Sequence, residues 1–286
     1  MQNIQYYPNR KIELNCGQYT LMLGSKTYVM GILNVTPDSF SDGGNYLNVE
    51  KAIIHAQKMV LEGADIIDIG GESTRPGAGE VSADVELSRL LPVLERLVKE
   101  VKVPISVDTY KAEVAEKVLQ AGAHIINDVW GLQRDLDMAG VIAKYDVPVI
   151  VMHNQSGTKY DKDIMESISD FFKKSINMAL EAGVKKEKII LDPGIGFGKN
   201  PEQNMEIMAR LGEFNALGHS ILLGTSRKSM IGKILDLPPE QRVEGTLATS
   251  VMGIVQGVDI IRVHDIVENV RTVKVTDAIV RLKQHG

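Results

Sequence analysis

The chain is poor in cysteine, and its one thiol, Cys16, cannot form an internal disulfide. That fits a reducing compartment, and a cytoplasmic location is the expectation. A lone Cys in a polar N-terminal stretch reads as a small side chain rather than a nucleophile. The opening residues, MQNIQYYPNRKIELN, lack the apolar stretch of about 7–15 residues that a secretory signal needs. No apolar run approaches about 18 residues, so no membrane span and no membrane partner is expected. A basic excess is missing too. With 32 Lys+Arg against 37 Asp+Glu the formal net charge is −5. This argues against nucleic acid as a partner, although net charge says nothing about one pocket.

Several motifs are also missing. DPGIGFGK at Asp192 to Lys199 is not a phosphate loop. The Gly that should stand five positions before Gly198-Lys199 is Pro193, and Asn200 takes the place of Ser or Thr. The dinucleotide fingerprint fails because Gly194-Ile195-Gly196 has no Gly at 199. No histidine pair has zinc spacing, and no Gly-x-Ser-x-Gly elbow occurs. No Pro/Gly/Ser-rich linker divides the chain. Its 286 residues would make about two domains at roughly 150 each, but an α/β barrel reaches about 250 as one.

What is present is a repeating pattern. Eight short apolar runs recur: TYVMGILNV, ADIIDIGG, VPISVD, HIINDVW, VPVIVMH, KIILDPG, HSILLGTS and VDIIRVHD. Each is nearly continuous rather than alternating, as in strands buried on both faces of a parallel sheet. Between them lie segments of helical spacing. In 49–63, Ala52, Ile53, Ala56, Met59 and Val60 recur at three- and four-residue steps, and Gly63 suits a C-terminal cap. Further helices are predicted near 83–100, 111–122, 136–145, 163–183, 202–213, 243–257 and 265–284, and a helix start near Ser229. Eight strand–helix units imply right-handed crossovers and a closed (β/α)8 barrel, with an open doubly wound sheet as the competitor. Residues 1–27 would form an N-terminal arm or hairpin, or plug the barrel's bottom. Residues 28–286 would be a single barrel domain.

Barrel chemistry sits at the C-terminal strand ends. Here those ends carry Asn34, Asp68, Glu72, Asp108, Asn127, Asp128, His153, Asn154, Asp192, Ser226, Arg227, Lys228, Arg262 and His264. A carboxylate or amide at the end of a buried strand must be paired or meet a ligand. Asp108 and Asp192 could instead serve only as cap or turn residues. Two loops rich in Gly, Pro, Ser and Thr follow the first two strands, at 36–44 and 70–79. They read as lids closing over a substrate. An anion site is expected where Gly224-Thr225-Ser226-Arg227-Lys228-Ser229 meets Arg262 and His264. Backbone N–H groups, hydroxyls and cations gather there, after strands seven and eight.

Taken in order, these segments resemble one family. MGILNVTPDSFSDGG at Met30 to Gly44 and ADIIDIGGESTRPGA at Ala64 to Ala78 are similar to the two signatures of the dihydropteroate synthases. SVDTYK, INDVWG, LDPGIGFGK, LLGTSRK and IIRVHD follow in that family's order. The resemblance covers about residues 28–265. It implies a (β/α)8 barrel, a homodimer, Mg2+ as cofactor, and small-molecule substrates. The reaction would join 6-hydroxymethyl-7,8-dihydropterin diphosphate to 4-aminobenzoate, giving 7,8-dihydropteroate and pyrophosphate. Sulfonamides would compete with 4-aminobenzoate.

The resemblance also implies roles. Asp108, Asn127, Asp192, Gly224 and Lys228 would line the pterin pocket, with Met152 and Phe197 packing on the ring. A carboxylate can accept from the ring N–H and amino groups while Lys228 donates to the carbonyl. Asn34, Arg262 and His264 would hold the diphosphate, with Asn34 on Mg2+. Phe40, Thr74, Arg75, Pro76 and Ser226 would form the 4-aminobenzoate pocket. Loss of pyrophosphate would leave a cation at the pterin methylene, stabilised by a carboxylate such as Asp42, which the arylamine then attacks. Direct displacement stays open. The competing readings are a pterin-dependent methyltransferase barrel, which has no diphosphate to hold, and a non-catalytic barrel that only binds pterin.

Overall fold

The computed structural model describes residues 11–36, 45–72 and 79–281. Eight parallel strands close into a barrel. They are β3 (Tyr28–Asn34), β4 (Ile66–Gly70), β5 (Ile105–Asp108), β6 (Ile125–Asp128), β7 (Val149–Met152), β8 (Ile189–Asp192), β9 (Ser220–Leu223) and β10 (Ile260–Val263), with β10 returning to pair with β3. The eight apolar runs are these eight strands. Ahead of them, β1 (Ile12–Cys16) and β2 (Tyr19–Leu23) form an antiparallel hairpin with Leu14 facing Leu21.

The helices between the strands are α1 (Asn45–Leu61), α2 (Ala83–Glu100), α3 (Ala112–Gln120), α4 (Met138–Tyr145), α5 (Ile164–Glu181), α6 (Pro201–Arg210), α7 (Ser229–Leu235), α8 (Val243–Val255) and α9 (Ile266–Val280). Eight overlap the helical segments read from the sequence, and α7 starts at the marked Ser229. Helix α6 ends at Arg210 rather than 213, because a tighter 3-10 turn runs on from Leu211 to Leu217. Its start is well capped. Asn200 accepts from the Gln203 N–H, the Gln203 side chain accepts from the Asn200 N–H, and Pro201 needs no donor in the first turn.

The runs are continuous because each strand buries two faces against different things. One parity points outward: Ile67, Ile69, Val107, Ile126, Val151, Leu191, Leu223 and Val263 pack with the helices in one large core. The other parity points inward: Met30, Ile66, Ile125, Ile150, Ile190, Leu222 and Ile260 form a layer across the barrel floor. Leu14, Cys16, Leu21 and Leu23 of the hairpin complete that layer from below. His124 ties the hairpin to the barrel. Its Nδ1 accepts the Ile105 N–H at 3.1 Å, and its ring stands edge-on to Tyr19. Cys16 lies within this floor, and burial pushes its thiol up to about 12, so it is chemically quiet. On α9, Asp277 accepts both the N–H and the hydroxyl of Thr27, joining the last helix to the start of the barrel.

Candidate active site

The inward parity that builds the floor also builds the site. Two residues beyond most floor residues, the same side of the strand carries a site group: Ile66 leads to Asp68, Ile125 to Asn127, Ile150 to Met152, Ile190 to Asp192, Leu222 to Gly224, and Ile260 to Arg262, whereas Met30 leads to the apolar Ile32. Asp108 ends β5 beside Asn127 in register, and His264 stands two residues past Arg262. Asn34 ends β3 with its side chain exposed. Asp68, Asp108, Asn127 and Asp192 are all buried.

Arg262 organises the β4–β5 side. Its Nε donates to Asp68 Oδ2 at 2.6 Å and its Nη2 to Asp108 Oδ2 at 3.2 Å. Asn127 Nδ2 donates to the same Asp68 Oδ2 at 3.3 Å. The other oxygens, Asp68 Oδ1, Asp108 Oδ1 and Asn127 Oδ1, are buried without a hydrogen-bond partner. Burial raises the Asp108 carboxyl well above the carboxylate range, with Arg262 pulling the other way and Asp68 adding to the rise. Asp192 is pushed up to about 6 by burial, opposed by the Gly194 N–H and by Lys228, Arg262 and Lys199. Its Oδ1 accepts the Gly194 N–H at 2.8 Å, so one oxygen makes a turn. Asp108 caps nothing of this kind in the bonds it makes.

An apolar cluster stands at the same strand ends, with Met152 in register beside Asp192. Tyr110, Val129 and Met152 cluster with Trp130 and Phe197. The Lys228 ammonium stands 4.1 Å over the Phe197 ring. Gly196 holds a left-handed φ of 86°, and a Cβ there would come within 3.1 Å of Lys228 Cδ. Phe197 is placed by Lys199. Lys199 is buried, and its ammonium donates to Gly194 O (3.0 Å), Phe197 O (2.8 Å) and His153 Nδ1 (2.8 Å). These three acceptors staple the Gly-rich turn. Burial draws Lys199 down to about 7, with Asp192 opposing. Burial also draws His153 down to about 2, with Lys199 adding to the effect.

On the β9–β10 side, Ser226 Oγ accepts the His264 N–H at 3.1 Å and lies 2.9 Å from His264 Nδ1. Arg227 is drawn away from this group. Its Nε donates to Asp265 at 3.1 Å, and its backbone is left-handed at φ 58°. Of the two cations expected to serve the anion, Lys228 faces the pocket and Arg227 closes a salt bridge. Asp128 is structural as well: it has the outward parity, and its oxygens accept the Trp130 and Leu132 N–H groups at 2.8 Å.

The structure thus gathers Asp108, Asn127, Met152, Asp192, Phe197, Gly224, Lys228, Ser226, Arg262 and His264 at one mouth, with Asn34 at the end of β3. Phe40, Asp42, Thr74, Arg75 and Pro76 lie outside the described residues, as does most of both Gly-rich loops. Glu72, just before the second loop, pairs with Lys111 and accepts from Tyr110, while Glu86 shares the same lysine at 2.6 Å. Asp68 was legible as a strand-end residue but not as the hub it is. Lys199 reads in the sequence only as the lysine of a failed phosphate loop, and nothing local marks it as turning inward.

Comparison with known proteins points one way. Residues 30–264 match the family described as pterin binding enzyme. The chain is 54% identical to a dihydropteroate synthase of Clostridium beijerinckii, covering 94% of this chain and 100% of that protein. It is 55% identical to the dihydropteroate synthase of Bacillus subtilis, covering 89% of each. It also superposes on the crystal structure of a Clostridium difficile dihydropteroate synthase obtained in the presence of pteroic acid. That match has 62% identity and a TM-score of 0.89, and covers 90% of this chain and 98% of the other.

Proposed function

Because this chain belongs to the pterin binding enzyme family, we infer that its barrel mouth carries out the dihydropteroate synthase reaction. It condenses 6-hydroxymethyl-7,8-dihydropterin diphosphate with 4-aminobenzoate, releasing pyrophosphate. The observation that carries this reading is the pair of buried, unpartnered acceptors Asp108 Oδ1 and Asn127 Oδ1, at the same strand ends as Asp192 and an apolar cluster. Unpaired buried acceptors demand donors. A flat ring with N–H and amino groups along one edge meets that demand and fills the slot against Met152 and Phe197. Lys228 is placed to donate to the ring carbonyl, and Gly224 leaves room beside Asp192 and Arg262, both within 3.9 Å of where a Cβ would stand.

The diphosphate goes to Arg262 and His264. Asp68 and Asp108 occupy Nε and Nη2 of Arg262, which fixes the guanidinium plane while Nη1 serves neither carboxylate. Positive charge at this end stabilises the leaving pyrophosphate. The departing group leaves a cation at the pterin methylene, for which Asp42 is the candidate stabiliser, and the arylamine then attacks. The 4-aminobenzoate is assigned to Phe40, Thr74, Arg75, Pro76 and Ser226, where sulfonamides would compete. Because the Ser226 hydroxyl serves His264, its share in carboxylate binding is the smaller of its two roles.

Mg2+ fits only as an ion borne largely by the substrate. Among the described residues no three His, Cys, Asp or Glu side chains stand together to hold a metal. Asn34 offers one exposed amide oxygen, which suits an ion that takes most of its oxygens from water and phosphate. When bound, Mg2+ would neutralise diphosphate charge. The homodimer reading is supported by α8 and α9, which leave Met252, Val275 and Ile279 exposed, and sedimentation velocity tests it. None of the described helices is long and apolar enough to cross a membrane.

The test of the reaction is pyrophosphate release and dihydropteroate formation with and without 4-aminobenzoate. Product that depends on the amine is expected, and its absence would overturn the reading. Within it, Asp192→Ala should abolish pterin binding, whereas Asp42→Ala should leave binding intact and slow turnover.

A further inference from the structure

Asp68 has no assigned role, yet it is fully buried in the middle of the site. It lies on β4, between the strand order that leads to β10 on one side and to β6 on the other. Its single oxygen Oδ2 accepts from Arg262 Nε at 2.6 Å and from Asn127 Nδ2 at 3.3 Å. One atom therefore touches a residue of the diphosphate subsite and a residue of the pterin subsite. We infer that Asp68 is a positioning residue that sets the polarity of the Asn127 amide for pterin while tempering the charge of Arg262. The inference rests on the placement of Asn127 and Arg262 given above.

The argument is one of donors and acceptors. An Asn side chain has one donating and one accepting end. A carboxylate can only accept, so Asn127 must turn Nδ2 toward Asp68, and Oδ1 is the end left over. That oxygen is buried and unpartnered. The amide is thereby committed to a ligand that donates. Flipping it would set its oxygen against the Asp68 carboxylate and offer the ligand a second donor in place of an acceptor. The same carboxylate compensates part of the Arg262 charge, so the guanidinium holds a diphosphate less tightly than an unpaired one would.

Asp68→Ala removes both effects. With no carboxylate to hold Nδ2, the Asn127 amide is no longer fixed with Oδ1 toward the pterin. Titration calorimetry on the full chain, with 6-hydroxymethylpterin and inorganic pyrophosphate as separate ligands, reads this out. Loss of the acceptor that orients the amide should weaken pterin binding by about tenfold. Pyrophosphate should bind at least as tightly as to the unaltered chain. General damage to the fold would weaken both ligands, so joint weakening overturns the inference, as does unchanged pterin binding. A second route is the conservative variant. Asp68→Asn keeps an oxygen facing Arg262 Nε, so Asn127 still donates to it, and pterin binding should stay within about threefold of the unaltered chain. An Asp68→Asn variant that weakens pterin as much as Asp68→Ala overturns the inference. If instead Asn127→Ala leaves pterin binding, and Arg262→Lys leaves pyrophosphate binding, as in the unaltered chain, the site placement itself falls, and the role of Asp68 with it.

Discussion

Ser226 and His264 are joined twice: the serine Oγ accepts the histidine backbone N–H at 3.1 Å and lies 2.9 Å from its ring Nδ1. The two residues are 38 positions apart, yet together they fix one imidazole at the mouth of the barrel. Held by Nδ1, the ring keeps Nε2 as its other polar end. Ser226→Ala should therefore act through the diphosphate. Loss of a hydrogen bond that orients an anion-binding group is worth about 1–2 kcal/mol, or roughly tenfold. The KM for the pterin diphosphate should rise by that factor, and the KM for 4-aminobenzoate should move less than about threefold. Steady-state kinetics with each substrate varied separately decides it, and the reverse pattern would put the hydroxyl on the aminobenzoate carboxylate.

Gly196 and Gly140 should respond to alanine with opposite signs. Gly196 has φ 86°, and an added Cβ would press on Lys228 Cδ at 3.1 Å. An L-residue in that region costs about 1–2 kcal/mol, and the lysine must move off Phe197. Gly196→Ala should lose that stability in urea and bind 6-hydroxymethylpterin several-fold less tightly. Gly140 lies in α4, where a Cβ would meet nothing within 4 Å. Gly140→Ala should gain about 0.5–1 kcal/mol and leave ligand affinity unchanged.

His153 should make the fold acid-sensitive. Its Nδ1 accepts from the Lys199 ammonium, so the ring is neutral, and burial draws it from 6.5 to about 2. Below pH 6.5 the unfolded chain takes up a proton that the folded chain refuses. The contribution of His153 is complete above that pH and is lost as pH falls toward 2, at up to about 1.4 kcal/mol per pH unit. Lys199, drawn to about 7 by burial, extends the same rise into the alkaline range. Urea unfolding across pH 4–7 should show a shallower slope for His153→Gln, by about one proton's worth. An unchanged slope would mean that the ring is not held neutral.

Leu14 should separate stability from activity. It is fully buried in the floor layer contributed by the hairpin, one layer beneath the polar ring. Leu14→Ala should cost about 2–5 kcal/mol in urea unfolding, depending on how far the floor collapses. Both KM values should stay within about twofold, since Leu14 belongs to the floor layer and not to the polar ring. A large KM change would show that the floor sets the height of Asp68 and Asp192.

The barrel could be read from the chain because two-sided burial leaves a local mark. Outward residues such as Ile67 and Val151 and inward ones such as Ile66 and Ile150 are all apolar, so the strands appear as unbroken runs separated by helical spacing. The ring of site residues was legible for the same reason. Asn127, Asp192 and Arg262 each stand two places past an apolar floor residue, at the end of a run where polarity is otherwise excluded. The motif resemblance added ligand assignments to positions marked by that pattern, and it added Met152, Phe197, Gly224 and the loop residues, which the pattern did not mark.

Partnership was not legible. Nothing local in the chain says that Asp68 meets Arg262, 194 residues away, or that one oxygen serves both Arg262 and Asn127. Nor does it say that Arg227 is spent on Asp265 while its neighbour Lys228 faces the pocket, or that Lys199 turns inward to acceptors on His153, Gly194 and Phe197. A sequence by itself determines which side of its own strand or helix a residue occupies, because that follows from backbone periodicity. Which donor finds which acceptor depends on the stagger of eight strands closed into a ring, and only the tertiary structure sets those distances.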